Sequence, residues 1–175
     1  MRFLFEIDAK NYTGYSIDDY RLSVRSIIIK DKKLALIHSK KYNYYLFPGG
    51  GVEKGESLTS ALIRETNEET GLKVITSSIQ EFGHVRIIQK SIFFENGRLI
   101  YDNYYYLVEV EEGLDLQNLT DYEKMQEYVL EYVKPLDAYL ANRQAIEKGV
   151  LKFQLESENR IIELLKLEGL IDILI

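Results

Sequence analysis

The residues best suited to chemistry are three glutamates, Glu65, Glu68 and Glu69, in the stretch GGVEKGESLTSALIRETNEETGL at residues 50–72. Residues 57–70 have the hydrophobic spacing of a helix, and the glycine that follows them is a common C-cap residue. At about 100° per residue, the three carboxylates extend the apolar stripe of this helix, whereas a solvated charge run lies opposite it. Carboxylates three and four residues apart repel one another. A hard divalent cation offsets this repulsion, and Mg²⁺ shares such oxygen ligands with substrate phosphates.

Glutamates are also common on solvent-exposed helix faces, so the cluster alone could be either a metal site or an ordinary exposed surface. The residues around the cluster favour the metal interpretation, because they complete a longer pattern. Its fixed positions are Gly50, Glu56, Arg64, Glu65, Glu68, Glu69, Gly71 and Leu72. This pattern resembles the signature of the Nudix hydrolase family (MutT-like), G-x5-E-x7-R-E-U-x-E-E-x-G-U, in which U is a bulky aliphatic residue. Thr66 stands at the first U position, where it brings a hydroxyl that needs a partner.

The resemblance implies an enzyme that hydrolyses a diphosphate bond in a nucleoside diphosphate derivative, such as a nucleoside triphosphate or a nucleotide sugar, by attack of water on phosphorus. It implies that Glu65, Glu68 and Glu69 are catalytic and hold Mg²⁺, or Mn²⁺ in its place. The backbone carbonyl of Gly50 would be a further metal ligand. Glu65 is also a candidate for deprotonating the water, whose pKa a bound cation lowers.

The resemblance assigns other charged residues to supporting roles. Glu56 and Arg64 are expected to brace the loop and helix without touching substrate. Many family members use an additional glutamate from outside the signature, and Glu123 and Glu127 are the candidates here. Either of these two is equally a surface charge.

Candidate substrate contacts lie before the signature. Arg25, Lys40 and Lys41 are placed where family members put cations against phosphates, although lysines near turns are most often solvated. Tyr45 belongs to an aromatic-rich run at residues 42–47 that could stack on a base. Packing in the core or at its rim is the alternative for these rings.

The elements that must position these residues can be read from the hydrophobic pattern. Two apolar runs within residues 22–39 flank a charged turn, and Asn96-Gly97 is a two-residue hairpin signal before a strand at 99–110. Another apolar run covers 128–133, and 136–175 is mostly helical. Strands around one helix, with helices last, predict an α/β fold: a Nudix-type α/β/α sandwich with a mixed β-sheet, plus C-terminal helices.

Length and composition fit one globular domain. The chain has 175 residues, of which 46% are hydrophobic and 29% charged, and it has no cysteine, which excludes thiolate metal sites and a cysteine nucleophile. We expect an N-terminal extension or strand at 1–20, a Nudix domain at 21–145 and a helical extension at 146–175. No signal peptide or membrane span is predicted, so we expect a cytoplasmic protein.

Charge and the final residues bear on partners. Proteins that bind a nucleic-acid polymer usually carry a positively charged surface, whereas this chain has a net charge of −6. We therefore expect a small nucleotide as its ligand, bound through a cation. The stretch 159–175 carries more apolar residues than one helix face needs, which favours a homodimer interface over a tail folded back on its own domain.

Three classes of function remain open from the sequence. An active hydrolase is favoured, because none of the signature glutamates is lost. A Nudix domain that binds a nucleotide without cleaving it is the second, and a structural protein is the third, which leaves the carboxylate stripe unexplained. The substrate is not identified by any further motif.

Overall fold

The computed structural model of the chain describes residues 1–111 and 115–172. None of its helices has the length and apolar character needed to cross a membrane. The elements in chain order are β1 (Phe3–Asp8), β2 (Ile17–Ile27), β3 (Ile29–Lys30), β4 (Lys33–Ser39), β5 (Tyr44–Leu46), α1 (Leu58–Thr70), a 3₁₀ turn (Thr76–Ser78), β6 (Gln80–Lys90), β7 (Gly97–Leu107), α2 (Asp121–Met125), β8 (Tyr128–Val133), α3 (Pro135–Glu147) and α4 (Lys152–Leu167).

The strands form two sheets of four. The first has the order β1-β6-β7-β2, with β1 parallel to β6, β6 antiparallel to β7 and β7 parallel to β2. The second is antiparallel and contains β3, β4 and β5, with β8 on β4. The predicted α/β class with a mixed sheet is therefore confirmed, and the structure divides the strands between two sheets.

Neighbouring residues of β7 show how the helices cover both faces of the first sheet. Tyr106 lies in a buried cluster with Ala61 and Leu62 of α1, whereas Tyr105 lies in another with Ile161 of α4. Successive side chains of a strand point to opposite faces. Helix α1 therefore packs on one face and α4 on the other, which is the predicted α/β/α layering.

The first predicted hairpin is confirmed. Strands β3 and β4 pair antiparallel, with Lys30 opposite Lys33. Asp31 and Lys32 between them both have positive φ, 50° and 60°, as the right-handed twist of a two-residue hairpin requires.

The second predicted hairpin exists, but its turn differs from the prediction. Strands β6 and β7 pair out to Lys90 and Arg98, so residues 91–96 form the connection, and Asn96-Gly97 does not form a two-residue turn. The Ser91 hydroxyl explains the wider loop, because it accepts the backbone N–H groups of the two phenylalanines at 93 and 94, at 3.1 and 3.2 Å. A serine that bonds nearby backbone competes with the tighter turn.

The apolar tail packs largely on its own domain. Four of its side chains are buried there: Ile161, Ile162, Leu165 and Ile171. Leu167, at 80% exposure, is the main exception in the described part of the tail, and residues 173–175 lie outside the described residues. The alternative of a tail folded back on its domain is thus what the structure shows. The homodimer stays a prediction, without this surface to support it.

Candidate active site

Helix α1 sets the positions of the three signature glutamates. Its N-cap is Ser57, whose hydroxyl accepts the N–H of Ser60 at 3.1 Å. Its C-cap is Gly71, with φ of 74° and an N–H that bonds Asn67 O at 2.7 Å. A left-handed C-cap favours glycine, because a Cβ is strained there. The helix therefore begins and ends where the sequence predicted.

Glu69 is a buried carboxylate against the glycine-rich segment. Only 6% of it is exposed, and its Oε2 accepts the N–H of Gly49 at 2.7 Å. Burial raises the pKa of Glu69 to about 8, although the positive charge of Arg25 opposes this rise. The negative charges of Glu123 and Glu65 raise the pKa further. Burial is therefore the main reason that Glu69 holds a proton more tightly than a free glutamate.

Arg64 holds the predicted supporting pair together. Its Nε and Nη2 donate to the two oxygens of Glu56 at 2.9 and 2.8 Å, and Nη2 also donates to Gly51 O at 3.1 Å. Hydrogen bonds from Arg64 lower the pKa of Glu56 to about 2. Such a bidentate pair fixes both partners. Arg64 and Glu56 tie the loop that precedes α1 to the helix itself.

The same arginine reaches two signature glutamates. Its Nη1 donates to Glu65 Oε1 at 2.7 Å and to Glu68 Oε2 at 3.2 Å. Two carboxylates that bond one cationic nitrogen are close enough to share one metal ion. Burial raises the pKa of Glu65, and Arg64 opposes that rise.

Gly50 lies directly against Glu65. A Cβ at Gly50 would lie 2.6 Å from Glu65 Cδ, so only glycine leaves room for the carboxylate. The Gly50 carbonyl, predicted as a metal ligand, accepts the N–H of Val24 at 3.0 Å. A carbonyl oxygen has two lone pairs, so this bond leaves one for a further partner.

The donor set fits a hard divalent cation. It consists of carboxylate oxygens and one backbone carbonyl, which are the ligands preferred by Mg²⁺ and Mn²⁺. Within residues 1–111 and 115–172, no three acidic or histidine side chains are already arranged around a common metal position. Glu65 and Glu68 are bonded to one nitrogen of Arg64, Nη1, whereas Glu69 is bonded to the N–H of Gly49. A cation that bound Glu65 and Glu68 would take the place of that nitrogen.

The two candidates for an additional acid differ in position. Glu123, in α2, forms a capping box with Thr120, whose N–H it accepts at 2.7 Å, and its charge acts on Glu69. Glu127 is exposed, and its backbone carbonyl accepts the N–H of Lys40 at 3.3 Å. Of the two, Glu123 is the residue that the structure brings near the signature glutamates.

The predicted lysines lie in the turn between β4 and β5. Lys40 and Lys41 are both exposed, and Lys41 Nζ lies 5.3 Å from the centre of the Tyr42 ring. Among the contacts of the described residues, neither lysine bonds a signature residue. Their role toward substrate stays a prediction.

Arg25 and Tyr45 have other partners than those predicted. Arg25 Nη1 donates to the carbonyls of Phe47, at 3.2 Å, and Gly49, so this nitrogen holds backbone, and a contact between Arg25 and phosphate stays a prediction. Tyr45 is 8% exposed, its ring stacks on His38 at 4.4 Å, and its hydroxyl donates to Glu131 at 3.1 Å. Tyr45 is a packing residue in this structure, not a platform for a base.

One residue near the site was missed. Glu158 of α4 is 2% exposed, and its Oε2 accepts the N–H of Phe47 at 2.9 Å. The sequence could have pointed to Glu158, because it lies three residues after Leu155 and four before Ile162 and so interrupts an apolar stripe of the helix. The same signal marked the three glutamates of α1.

Comparison with known proteins identifies the family. A sequence model of the NUDIX domain matches residues 19–153, which is most of the chain. The chain therefore belongs to the Nudix family, as its sequence predicted.

Two curated relatives show how far the likeness extends. An 8-oxo-dGTP diphosphatase from Buchnera aphidicola is 43% identical over 60 residues, which cover 32% of this chain and 46% of that protein. An RNA pyrophosphohydrolase from Campylobacter jejuni is 26% identical over 129 residues, which cover 67% of this chain and 81% of that protein. The first match spans less than half of the relative. Among solved structures, a MutT protein from Bacillus halodurans has a TM-score of 0.48 and 18% identity, covering 69% of this chain and 72% of that one.

Proposed function

We propose that this chain hydrolyses a diphosphate bond in a nucleoside diphosphate derivative, by attack of water on phosphorus. The observation that carries the proposal is that α1 presents all three signature glutamates at the glycine-rich loop: Glu69 accepts the N–H of Gly49, Glu65 lies against Gly50, and Glu68 shares Arg64 Nη1 with Glu65. These residues occupy every acidic position of the metal-binding part of the family signature. Membership of the Nudix family supports the same reaction class.

Glu65, Glu68 and Glu69 would hold Mg²⁺ or Mn²⁺, with the Gly50 carbonyl as a further ligand. Such a cation, when bound, neutralises charge on the diphosphate and lowers the pKa of coordinated water. Glu65 would take the proton of the attacking water, and its half-buried position against Gly50 supports this role. Glu123 stays the candidate for an additional acid, because its charge acts on Glu69.

The remaining residues of the site keep these groups in place. Arg64 holds Glu56, and Arg25 holds the carbonyls of Phe47 and Gly49. Neither needs to contact the substrate for this role. The phosphate oxygens would be oriented mainly by the cation, because charge–charge attraction positions a phosphoryl group without covalent chemistry.

The substrate is to be found among small phosphate anhydrides. The acidic net charge of −6 favours a nucleotide over a polymer. The relatives named above justify 8-oxo-dGTP and the 5′ end of an RNA as test substrates, together with nucleotide sugars. A homodimer and a cytoplasmic location stay predictions from the sequence.

The test is a hydrolysis screen over these compounds with Mg²⁺, with Mn²⁺ and with excess chelator. We expect metal-dependent release of a nucleotide from at least one compound, and a rise in melting temperature on adding metal. Glu68→Gln should abolish most of the turnover, while Glu53→Gln, at an exposed glutamate of the loop before α1, serves as the control. Full activity in chelator would contradict the proposal. A metal-independent melting temperature would contradict the assigned ligands.

A further inference from the structure

Helix α4 supplies a buried carboxylate to the backbone of the active-site loop. Glu158 Oε2 accepts the N–H of Phe47 at 2.9 Å, and Glu158 Oε1 accepts the hydroxyl of Tyr105 at 3.3 Å. Residue 158 lies beyond residue 153, where the match to the family model ends. No part of the signature therefore accounts for it.

The loop from Phe47 to Gly50 has no regular secondary structure of its own, so its backbone groups need partners elsewhere. Glu158 accepts the N–H of Phe47, and Glu69 accepts the N–H of Gly49. Arg25 donates to the carbonyls of Phe47 and Gly49. The backbone of β2 also donates to this loop, from Ser26 to the Pro48 carbonyl at 2.8 Å and from Val24 to the Gly50 carbonyl at 3.0 Å. The side chains of Glu69 on α1 and Glu158 on α4 supply the acceptors for its N–H groups.

The charges around the loop are arranged in the same way as its hydrogen bonds. Arg25 bonds the same two loop residues as the two buried carboxylates, Phe47 with Glu158 and Gly49 with Glu69, and its positive charge opposes the rise in pKa of both. A buried charge is tolerated only when it is paired or hydrogen-bonded. Retaining a 2% exposed glutamate among apolar residues of α4 therefore indicates a specific task for its oxygens.

We propose that Glu158 is a positioning residue, which fixes the Phe47–Gly50 backbone by accepting the Phe47 N–H and so sets the distance between Gly50 and the signature glutamates. The proposal rests on the proposed function for its kinetic consequence only. This role requires a side chain long enough to bring its oxygen to the Phe47 N–H, and it does not require that side chain to be charged. A misplacement of about 1 Å at such a site costs up to about a hundredfold in rate.

Two variants separate reach from charge. Glu158→Gln keeps the side-chain length and an acceptor oxygen but removes the charge. Glu158→Asp keeps the charge, but its shorter side chain moves the acceptor oxygen away from the Phe47 N–H. Glu156→Gln and Glu156→Asp are matched controls, because Glu156 is half-buried on the same helix. A role in stability alone would lower the melting temperature of both Glu158 variants without separating their kinetics.

The first measurement is amide hydrogen exchange of residues 44–50 in the metal-free full-length protein. We expect Glu158→Asp to raise exchange at the Phe47 amide by about tenfold or more, and Glu158→Gln by less than about threefold. With a substrate from the screen, kcat of Glu158→Asp should fall by about tenfold or more with KM nearly unchanged, and kcat of Glu158→Gln should stay within about threefold.

The proposal is overturned if folded Glu158→Asp exchanges the Phe47 amide at the wild-type rate. It is also overturned if Glu158→Gln loses as much kcat, or gains as much exchange, as Glu158→Asp. If Glu158→Asp does not fold, Glu158→Gln decides: near-normal exchange at Phe47 supports the proposal, and a tenfold rise overturns it. Exchange needs no substrate. A wild-type protein that hydrolyses nothing would therefore contradict the proposed function while the exchange result still judges Glu158.

Discussion

The hydroxyls of Ser26 and Thr66 lie 2.5 Å apart in the buried contact between β2 and α1. Thr66 also donates to the carbonyl of Leu62, one turn earlier, at 2.6 Å. Both residues are fully buried. The departure of this chain from the aliphatic residue of the signature is therefore matched by a partner on the strand below it.

Thr66→Val should destabilise the protein, although it restores the aliphatic residue of the signature. The substitution leaves the Ser26 hydroxyl buried without its partner, at a cost of about 1–3 kcal/mol. Thr66→Val with Ser26→Ala should recover part of this loss, because both polar groups are then gone. Urea denaturation of the two single variants and the double variant measures the coupling. Thr59→Val, at an exposed position of α1, is the control, and a Thr66→Val protein as stable as wild type would contradict the prediction.

Gly50→Ala should impair activity while Gly51→Ala does not. A Cβ at Gly50 overlaps the Glu65 carboxylate, whereas a Cβ at Gly51 meets no atom within 4 Å. We expect kcat of Gly50→Ala to fall by about tenfold or more, through displacement of Glu65. Kinetics of the two variants, with circular dichroism to verify folding, test this. Equal activities would show that the contact between Gly50 and Glu65 is unimportant.

Arg64→Ala and Glu65→Gln should separate support from chemistry. Arg64→Ala leaves Glu56 without its bidentate partner, so we expect a lower free energy of unfolding as well as lower activity. Glu65→Gln removes one of several neighbouring negative charges, so the metal-free protein should keep or gain stability while kcat falls sharply. Thermal melts without metal and turnover with metal give both quantities. Indistinguishable melting temperatures would contradict this division of roles.

The stability of the metal-free protein should depend on pH through Glu158. Burial raises the pKa of Glu158 to about 7 from an ordinary 4.5, against the opposing charge of Arg25. The folded state therefore binds this proton more tightly than the unfolded state, and stability falls as pH rises from about 4.5 to about 7. The fall amounts to about 3 kcal/mol at most.

Glu158→Gln removes this contribution, while Glu69, whose pKa is also raised, remains in both proteins. Urea denaturation of wild type and variant between pH 5 and pH 8 gives the difference in slope. Parallel pH profiles would show that Glu158 is not the titrating group.

Much of the fold could be predicted from local patterns. Ser57 and Gly71 mark the ends of α1, and the run at 128–133 coincides with β8, because capping and β-branched runs act locally. The loop at 91–96 could not be predicted in the same way. There the side chain of Ser91 outweighs the Asn-Gly signal, and only the folded chain shows that competition.

Some residues of the candidate site could likewise be predicted from the sequence, and others could not. Glu56 and Arg64 belong to one motif, so its resemblance to the family signature was enough to predict their pairing. The partners of Arg25 and Tyr45 depend on how distant segments pack, so the sequence could not predict them. A buried hydrogen bond across such a distance leaves little trace in the sequence beyond a charge within an apolar stripe.

The bond between Phe47 and Glu158 joins residues 111 positions apart. A ribosome makes the whole signature, with its strands and its glutamates, well before it makes α4. Contacts this distant form late, because the intervening chain must first be ordered. A nascent chain that ends before α4 would carry every signature residue and lack the acceptor for its loop. In the order of synthesis, the acceptor for the loop is made only after every residue of the signature.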